Sequence, residues 1–351
     1  MKLVLIHLGE SNATHLWENL KHLKNLKLDI DIVLILDNVN NQKITKKLNC
    51  EIFYYNKNKC RFNNLHLMHH DSNFRGDFWR KSTERFFALN QWHEQNPNVK
   101  IIHIESDNLL FSNFPLMRFE QLNTLAWLRH NQDLDSAAIL YSPNSSKTLW
   151  LVKQINHHIL NDPSTTDMKA LNKISKNNLN IGILPSYNPN WIKSPSIDQD
   201  LARISSYYNF FGGIFDPAAI GVWLTGNDPR NSLGWVKRYM NHFNPSVNPA
   251  DFSYSIKNSQ LLVKYQDHVN KSDVYNIHVH SKQLGLFRSY SQFILKFYCF
   301  TSNRQSFKYF FSISKSLFVL KFYGKNWKFS TNRIFRALRI FFKSRKTELF
   351  D

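Results

Sequence analysis

At 351 residues and 42% hydrophobic content the chain has enough material for a sizeable core, as about two domains or as one large α/β domain. The formal charge of +19 is uneven: residues 288–351 hold 14 Lys/Arg against 2 Asp/Glu, so +12 belongs to this tail and +7 to residues 1–287. Three cysteines (Cys50, Cys60, Cys299) with no Cys-x-x-Cys pair suggest neither a disulfide framework nor a structural zinc and fit a reducing cytoplasm, while no apolar run is long enough for a secretory signal or a membrane span.

In chain order, the pattern predicts a strand over 3–8 and a helix over Thr14–Leu26. A strand over 30–36 follows, ending at Asp37, and then a short strand over 51–55. This alternation argues for an α/β fold with a mostly parallel sheet and covering helices. Ligands bind at the carboxyl ends of strands in such sheets, so Gly9 and Asp37 are placed among the cofactor-binding residues. Trp79, Phe86, Leu89 and His93 recur at helical spacing and predict a helix over 78–92.

That helix feeds the strand Ile101-Ile-His-Ile, which runs into Glu105-Ser-Asp107. Residues two apart on a strand share a face, so Glu105 and Asp107 are expected to present hard oxygens to Mg²⁺ or Mn²⁺. The plainer reading is a strand end with two solvated acids. His103 is expected to pack beneath the strand.

Two strands joined by a polar turn are expected over 125–143, with small Ala137 and Ala138 leaving room for a sugar or simply packing. A helix over 146–160 follows, and then a loop in which Asp167 either caps the next helix or meets a hydroxyl. In Phe210-Phe-Gly-Gly-Ile-Phe-Asp-Pro-Ala-Ala-Ile-Gly221, Gly212 and Gly213 supply backbone freedom. Asp216-Pro217 has the form of an N-cap with Pro at the first helical position, and Gly226 marks the stop. Beyond it, Asp228 sits in an exposed turn as a potential acceptor base, and Arg230 either forks onto a phosphate or pairs with Asp228. Further on, Tyr275-Asn-Ile-His-Val-His-Ser-Lys282 puts His278 and His280 on one strand face with Lys282 after them, a weak metal signal when taken alone.

The tail holds 14 of the 28 Phe from residue 287 onward. Ile334, Phe335, Leu338, Phe341 and Phe342 fall on one helical face, and Arg333, Arg336, Arg339 and Lys343 on the other. This is the pattern of a helix lying on an anionic membrane surface. A helical cap on the catalytic domain is the alternative, and no nucleic-acid motif accompanies the basic residues.

Three blocks, about 79–111, 210–231 and 276–284, resemble nucleotide-sugar-dependent glycosyltransferases of GT-A type as found in bacterial surface-glycan synthesis. The first position of the family's Asp-x-Asp is Glu105 here. The resemblance spans roughly residues 1–285 and implies a GT-A catalytic domain over 1–287 followed by a basic extension over 288–351. It implies a nucleoside-diphosphate-sugar donor, a Mn²⁺ or Mg²⁺ ion, and a glycan or lipid-linked acceptor. Asp107 would bind the metal with Glu105 and either His280 or His278, Lys282 would neutralise the leaving diphosphate, and Arg85 and Arg230 would join the donor site. Asp228 is the first choice of base if the enzyme inverts, and Asp216 a second catalytic candidate. The location implied is cytoplasmic and peripheral to the membrane. A metal-dependent phosphoesterase and a noncatalytic adaptor are the competing classes.

Overall fold

A computed structural model describes residues 1–9, 14–37, 50–60, 64–70, 77–191, 199–225, 249, 252–257, 260–265, 269–280, 282 and 284. The expected α/β architecture is what it contains. β1 (Lys2–His7) and β2 (Asp31–Leu36) are near-continuous apolar runs, the composition of strands buried on both faces. With β3 (Glu51–Tyr54), β4 (Ile101–Ile104), β6 (Ala126–Arg129), β7 (Asp135–Ser142) and β8 (Gly182–Leu184) they form a seven-stranded sheet of order β3-β2-β1-β4-β7-β6-β8. β7 runs antiparallel to both neighbours and every other pairing is parallel.

Alternation along the strands divides the core in two. Val4, Val33, Ile35 and Ile101 pack with α2 (Phe78–Gln95), α4 (Ser145–Asn161) and α5 (Asp167–Asn177) through Phe86, Trp92, Leu151, Ile155 and Leu171. Leu3, Leu5, Leu34 and Ile102 face the other way, onto α1 (Thr14–Leu26) and α3 (Leu116–Gln121) through Leu16, Leu20, Leu23 and Phe119. The strand order reverses direction between β1 and β4, the position at whose carboxyl strand ends sheets of this kind bind ligands.

Two smaller sheets complete the site. β5 (Asn108–Leu110) pairs antiparallel with β13 (Asn276–His278), setting His278 opposite Asn108. β9 (Gly213–Ile214), β10 (Phe252–Lys257), β11 (Gln260–Tyr265) and β12 (Ser272–Val274) form a four-stranded sheet of order β10-β11-β12-β9. α6 (Gln199–Ser205), α7 (Tyr208–Phe211) and α8 (Ala219–Thr225) fill the connections. Gly212 takes φ +79°, as the expected glycine turn requires. Gly213 has no such φ, and its missing side chain instead clears the Tyr275 ring, 2.6 Å from where a β-carbon would stand.

Candidate active site

Glu105 and Asp107 are brought together differently from the strand-face expectation. β4 stops at Ile104, and the acids occupy a turn closed by the Asn108 N–H donating to the Glu105 carbonyl at 2.9 Å. The chain has to reverse here to enter β5, and a turn rather than a continued strand accomplishes this. Helix α1 holds the turn from outside. Asn19 Nδ2 donates to the Ser106 and Asn108 carbonyls at 3.1 and 2.8 Å. His15 Nε2 lies 3.0 Å from Ser106 Oγ, and His22 Nε2 lies 2.7 Å from the Leu110 carbonyl. These helix residues were not anticipated from sequence. The available signal was Asn19, a polar residue inside the apolar stripe of Leu16, Leu20 and Leu23, and it is fully buried.

The β5–β13 ladder delivers His278 to the acids from far along the chain. Its Nε2 lies 3.0 Å from Glu105 Oε2 and 3.2 Å from Asp107 Oδ2, and its Nδ1 faces the Pro217 carbonyl at 3.5 Å. The sequence left His278 and His280 as equals on one strand face. β13 ends at His278, and His280 lies beyond it in a turn where its N–H donates to the His278 carbonyl at 2.9 Å. Ligand atoms of Glu105, Asp107 and His278 lie within 4.8 Å of one another, and His280 is not in that group. The His280 ring centroid sits 4.3 Å from that of His278, with its Nε2 buried and without a hydrogen-bond partner among the described residues. The Lys282 ammonium contacts Asp107 Oδ2, reached from a backbone at φ +57°.

Arg85, on α2, contacts Glu105 Oε1 through one Nη and Asp167 Oδ2 at 2.7 Å through the other. Its guanidinium is therefore engaged by two carboxylates beneath the acid pair. Asp167 does not cap α5 as expected: Thr166 does, its Oγ1 accepting from the Lys169 N–H, and Asp167 in the first turn turns inward to Arg85. Asp216 is also committed. Its Oδ1 accepts from the Ala218 and Ile220 N–H groups at 3.0 and 2.9 Å, and its Oδ2 from Gly221 and His278 at 2.6 and 3.0 Å. Four donors fill the acceptor sites of a carboxylate, which leaves Asp216 no oxygen free for catalysis; α8 starts at Ala219, so Pro217 is not its first residue as expected, and Asp216 binds the helix's N–H groups from ahead of the N-cap position. Asn276 extends this network, donating to Asn108 Oδ1 at 2.8 Å and accepting from the Asp216 N–H at 3.0 Å.

Charge follows position. Burial alone would raise the carboxyl pKa of Asp107, but Lys282 and then His278 overcome it and hold that acid well below the usual range. Glu105 is held low against the same burial by Arg85 and His278. For His278 burial pushes down, and the two carboxylates more than reverse it, to about 10. His280 is pushed well down by burial and then by the charge of His278. His103 packs under the sheet as expected, its Nδ1 3.1 Å from the Val4 carbonyl, and burial lowers it to about 3.

The donor set fits a divalent cation: two carboxylates and an imidazole converge, and a second imidazole nitrogen lies unspent beside them. At the neighbouring strand ends, the Gly9 N–H donates to both Asp37 oxygens at 2.9 and 2.8 Å. The Lys81 ammonium lies 2.9 Å from where a Gly9 β-carbon would stand, a neighbour the sequence did not indicate. Asp228, Arg230, Gly226 and the tail 288–351 lie outside the described residues.

No protein-family model matches the chain, and no curated protein sequence does. Among solved structures, a galactosyltransferase, LgtC, in complex with donor and acceptor sugar analogues, matches at 12% identity over 58% of this chain and 84% of its own, with a TM-score of 0.41. The glycosyltransferase GlyE of Streptococcus pneumoniae TIGR4 matches at 13% identity over 52% of this chain and 45% of its own, with a TM-score of 0.35. The bifunctional glycosyltransferase WbbM matches at 10% identity over 53% and 38%, with a TM-score of 0.34.

Proposed function

We propose that this chain is a divalent-metal-dependent glycosyltransferase that moves a sugar from a nucleoside-diphosphate donor to a hydroxyl of a glycan or lipid-linked glycan. The observation that carries the reading is the convergence of Glu105, Asp107 and His278 at the strand ends where strand order reverses, with Lys282 on Asp107. In the transfer, the bond from sugar C1 to the diphosphate oxygen breaks and its electron pair leaves with the nucleoside diphosphate. A bond forms from the acceptor oxygen to C1, and the hydroxyl proton passes to a base.

Glu105, Asp107 and His278 would hold Mn²⁺ or Mg²⁺, which supplies positive charge against the diphosphate. Lys282, whose ammonium contacts Asp107, would add a further positive charge toward the leaving diphosphate. Arg85 keeps Glu105 ionised and aimed, so its role is positioning the first acid rather than touching the donor. Gly9 and Asp37, joined to each other at the adjoining strand ends, would receive the nucleoside. Asp228 would be the base for an inverting course, and Arg230 would meet a phosphate of the donor. The tail would rest on an anionic cytoplasmic membrane surface. Removing residues 288–351 is then expected to weaken binding to phosphatidylserine vesicles while donor turnover persists, and unchanged vesicle binding would remove that role.

The experiment is a mass-spectrometric panel of sugar nucleotides with Mn²⁺, scoring release of nucleoside diphosphate by wild type and Asp107→Asn. Turnover of one donor, reduced on the order of 10³-fold in the variant, is expected. Turnover of none, or equal turnover by both proteins, overturns the reading.

A further inference from the structure

A cavity of about 320 Å³ lies well away from the acids, lined among others by Lys147, Trp150, Asn178 and Asn180. It opens beside Leu125 and Ile181, just before the first residues of β6 and β8. Both β4 and β6 run antiparallel to β7, so β6 and β4 point the same way. The acids follow the end of β4, whereas the cavity precedes the start of β6, which puts the two at opposite edges of the sheet. Its volume reaches the lower bound of small-ligand pockets, roughly 300 Å³.

The lining is chemically mixed. Trp150 is half-buried and packs its inner face on the core, and Asn180 and Lys147 are exposed. Asn178 Oδ1 accepts the Asn180 N–H at 3.0 Å, and the Thr124 hydroxyl contacts the Asn180 carbonyl, so the backbone of the rim is tied down. The Trp150 indole N–H, the Asn180 carboxamide and the Lys147 ammonium have no hydrogen-bond partner among the described residues. An indole face offers a surface to the C–H groups of a sugar ring, and a carboxamide both donates and accepts, as a ring of hydroxyls demands. A nucleotide would call for a cluster of cations, and a lipid for an apolar lining without carboxamides.

We propose that this cavity is a noncatalytic saccharide-binding site that holds a remote unit of the glycan acceptor. Its purpose, though not its chemistry, rests on the transferase reading above. Holding one part of a chain near the enzyme raises the effective concentration of the rest at the catalytic site.

The test is saturation-transfer NMR on the full chain with glucose, galactose, N-acetylglucosamine and their short oligomers as probes. Wild type, Asp107→Asn, Trp150→Ala and Asn180→Ala are compared, with melting curves for each. Saccharide signals are expected in wild type and Asp107→Asn, absent in Trp150→Ala, and weakened severalfold in Asn180→Ala, whose exposed side chain can go without unfolding the protein. No signal from any probe, signals indifferent to both cavity variants, or signals lost in Asp107→Asn overturn the site. Failure of donor turnover with a Trp150-dependent signal retained would remove the transferase reading alone. Donor turnover without such a signal would remove the site alone.

Discussion

Arg85 is the residue on which the acidic turn leans. Its side chain is 13% exposed and faces Glu105 and Asp167, which are 20% and 3% exposed. Such a group stabilises chiefly because its loss strands its partners: Arg85→Ala leaves two carboxylates beneath the surface without their cation. The expected cost is about 3–5 kcal/mol by urea unfolding, and a wild-type midpoint would show that water replaces the guanidinium. His93 makes a separate, pH-dependent contribution. It is fully buried between Thr148 Oγ1 at 2.8 Å and the Val99 carbonyl at 2.7 Å, and burial lowers its pKa, the carbonyl opposing. In the unfolded chain this imidazole takes up a proton below about pH 6.5, and in the fold it does so only at lower pH. The unfolded state therefore binds more protons in that window, and stability falls as pH falls through and below about 6.5. Urea unfolding at pH 7 and pH 5 is expected to show a larger loss in wild type than in His93→Gln; equal losses would remove His93 from the account.

At the scale of elements, the site depends on how closely α8 approaches β13. Gly221 is the contact point: a β-carbon there would collide with the His278 carbonyl and stand 2.7 Å from Asp216 Oδ2. Its N–H is one of the four donors that Asp216 gathers, and another comes from His278 itself. Helix and strand are thus pinned to one carboxylate, with no room for a methyl group between them. Gly221→Ala is expected to cost about 1–3 kcal/mol and to weaken Mn²⁺ binding by calorimetry, because relief of the overlap moves His278. Unchanged metal affinity would mean that the β5–β13 ladder alone positions the histidine. On the other side α1 does the corresponding work, with Asn19 bonding the carbonyls around the acidic turn.

At the scale of the molecule, a cation held as proposed by Glu105 and Asp107 from one turn and His278 from the end of β13 would tie two distant segments together. Ligand that binds only the fold stabilises it by mass action, about 2.7 kcal/mol at 100 times Kd. Mn²⁺ is expected to raise the melting temperature of wild type by several degrees and that of Asp107→Asn little, and equal shifts in both would place the ion elsewhere. Most of the strand and helix order through residue 177 was legible from apolar periodicity, because β1, β2, α2 and α4 are long, regular and buried against the sheet, whereas the short β5 and α3 were not anticipated. Glu105, Asp107, the two histidines and Lys282 were legible as residue types suited to a metal and a phosphate. Their arrangement was not. That α1 holds the acidic turn, that His278 rather than His280 meets the acids, that Arg85 pairs with both Glu105 and Asp167 and that His278 supplies one of the N–H groups consuming Asp216 all follow from long-range contacts. Local sequence determines which face of an element is apolar and where a chain can turn, since those preferences act over a few residues. Only the packed structure decides which polar atoms, 168 to 175 residues apart, share one buried volume, since there each must find a partner or a ligand.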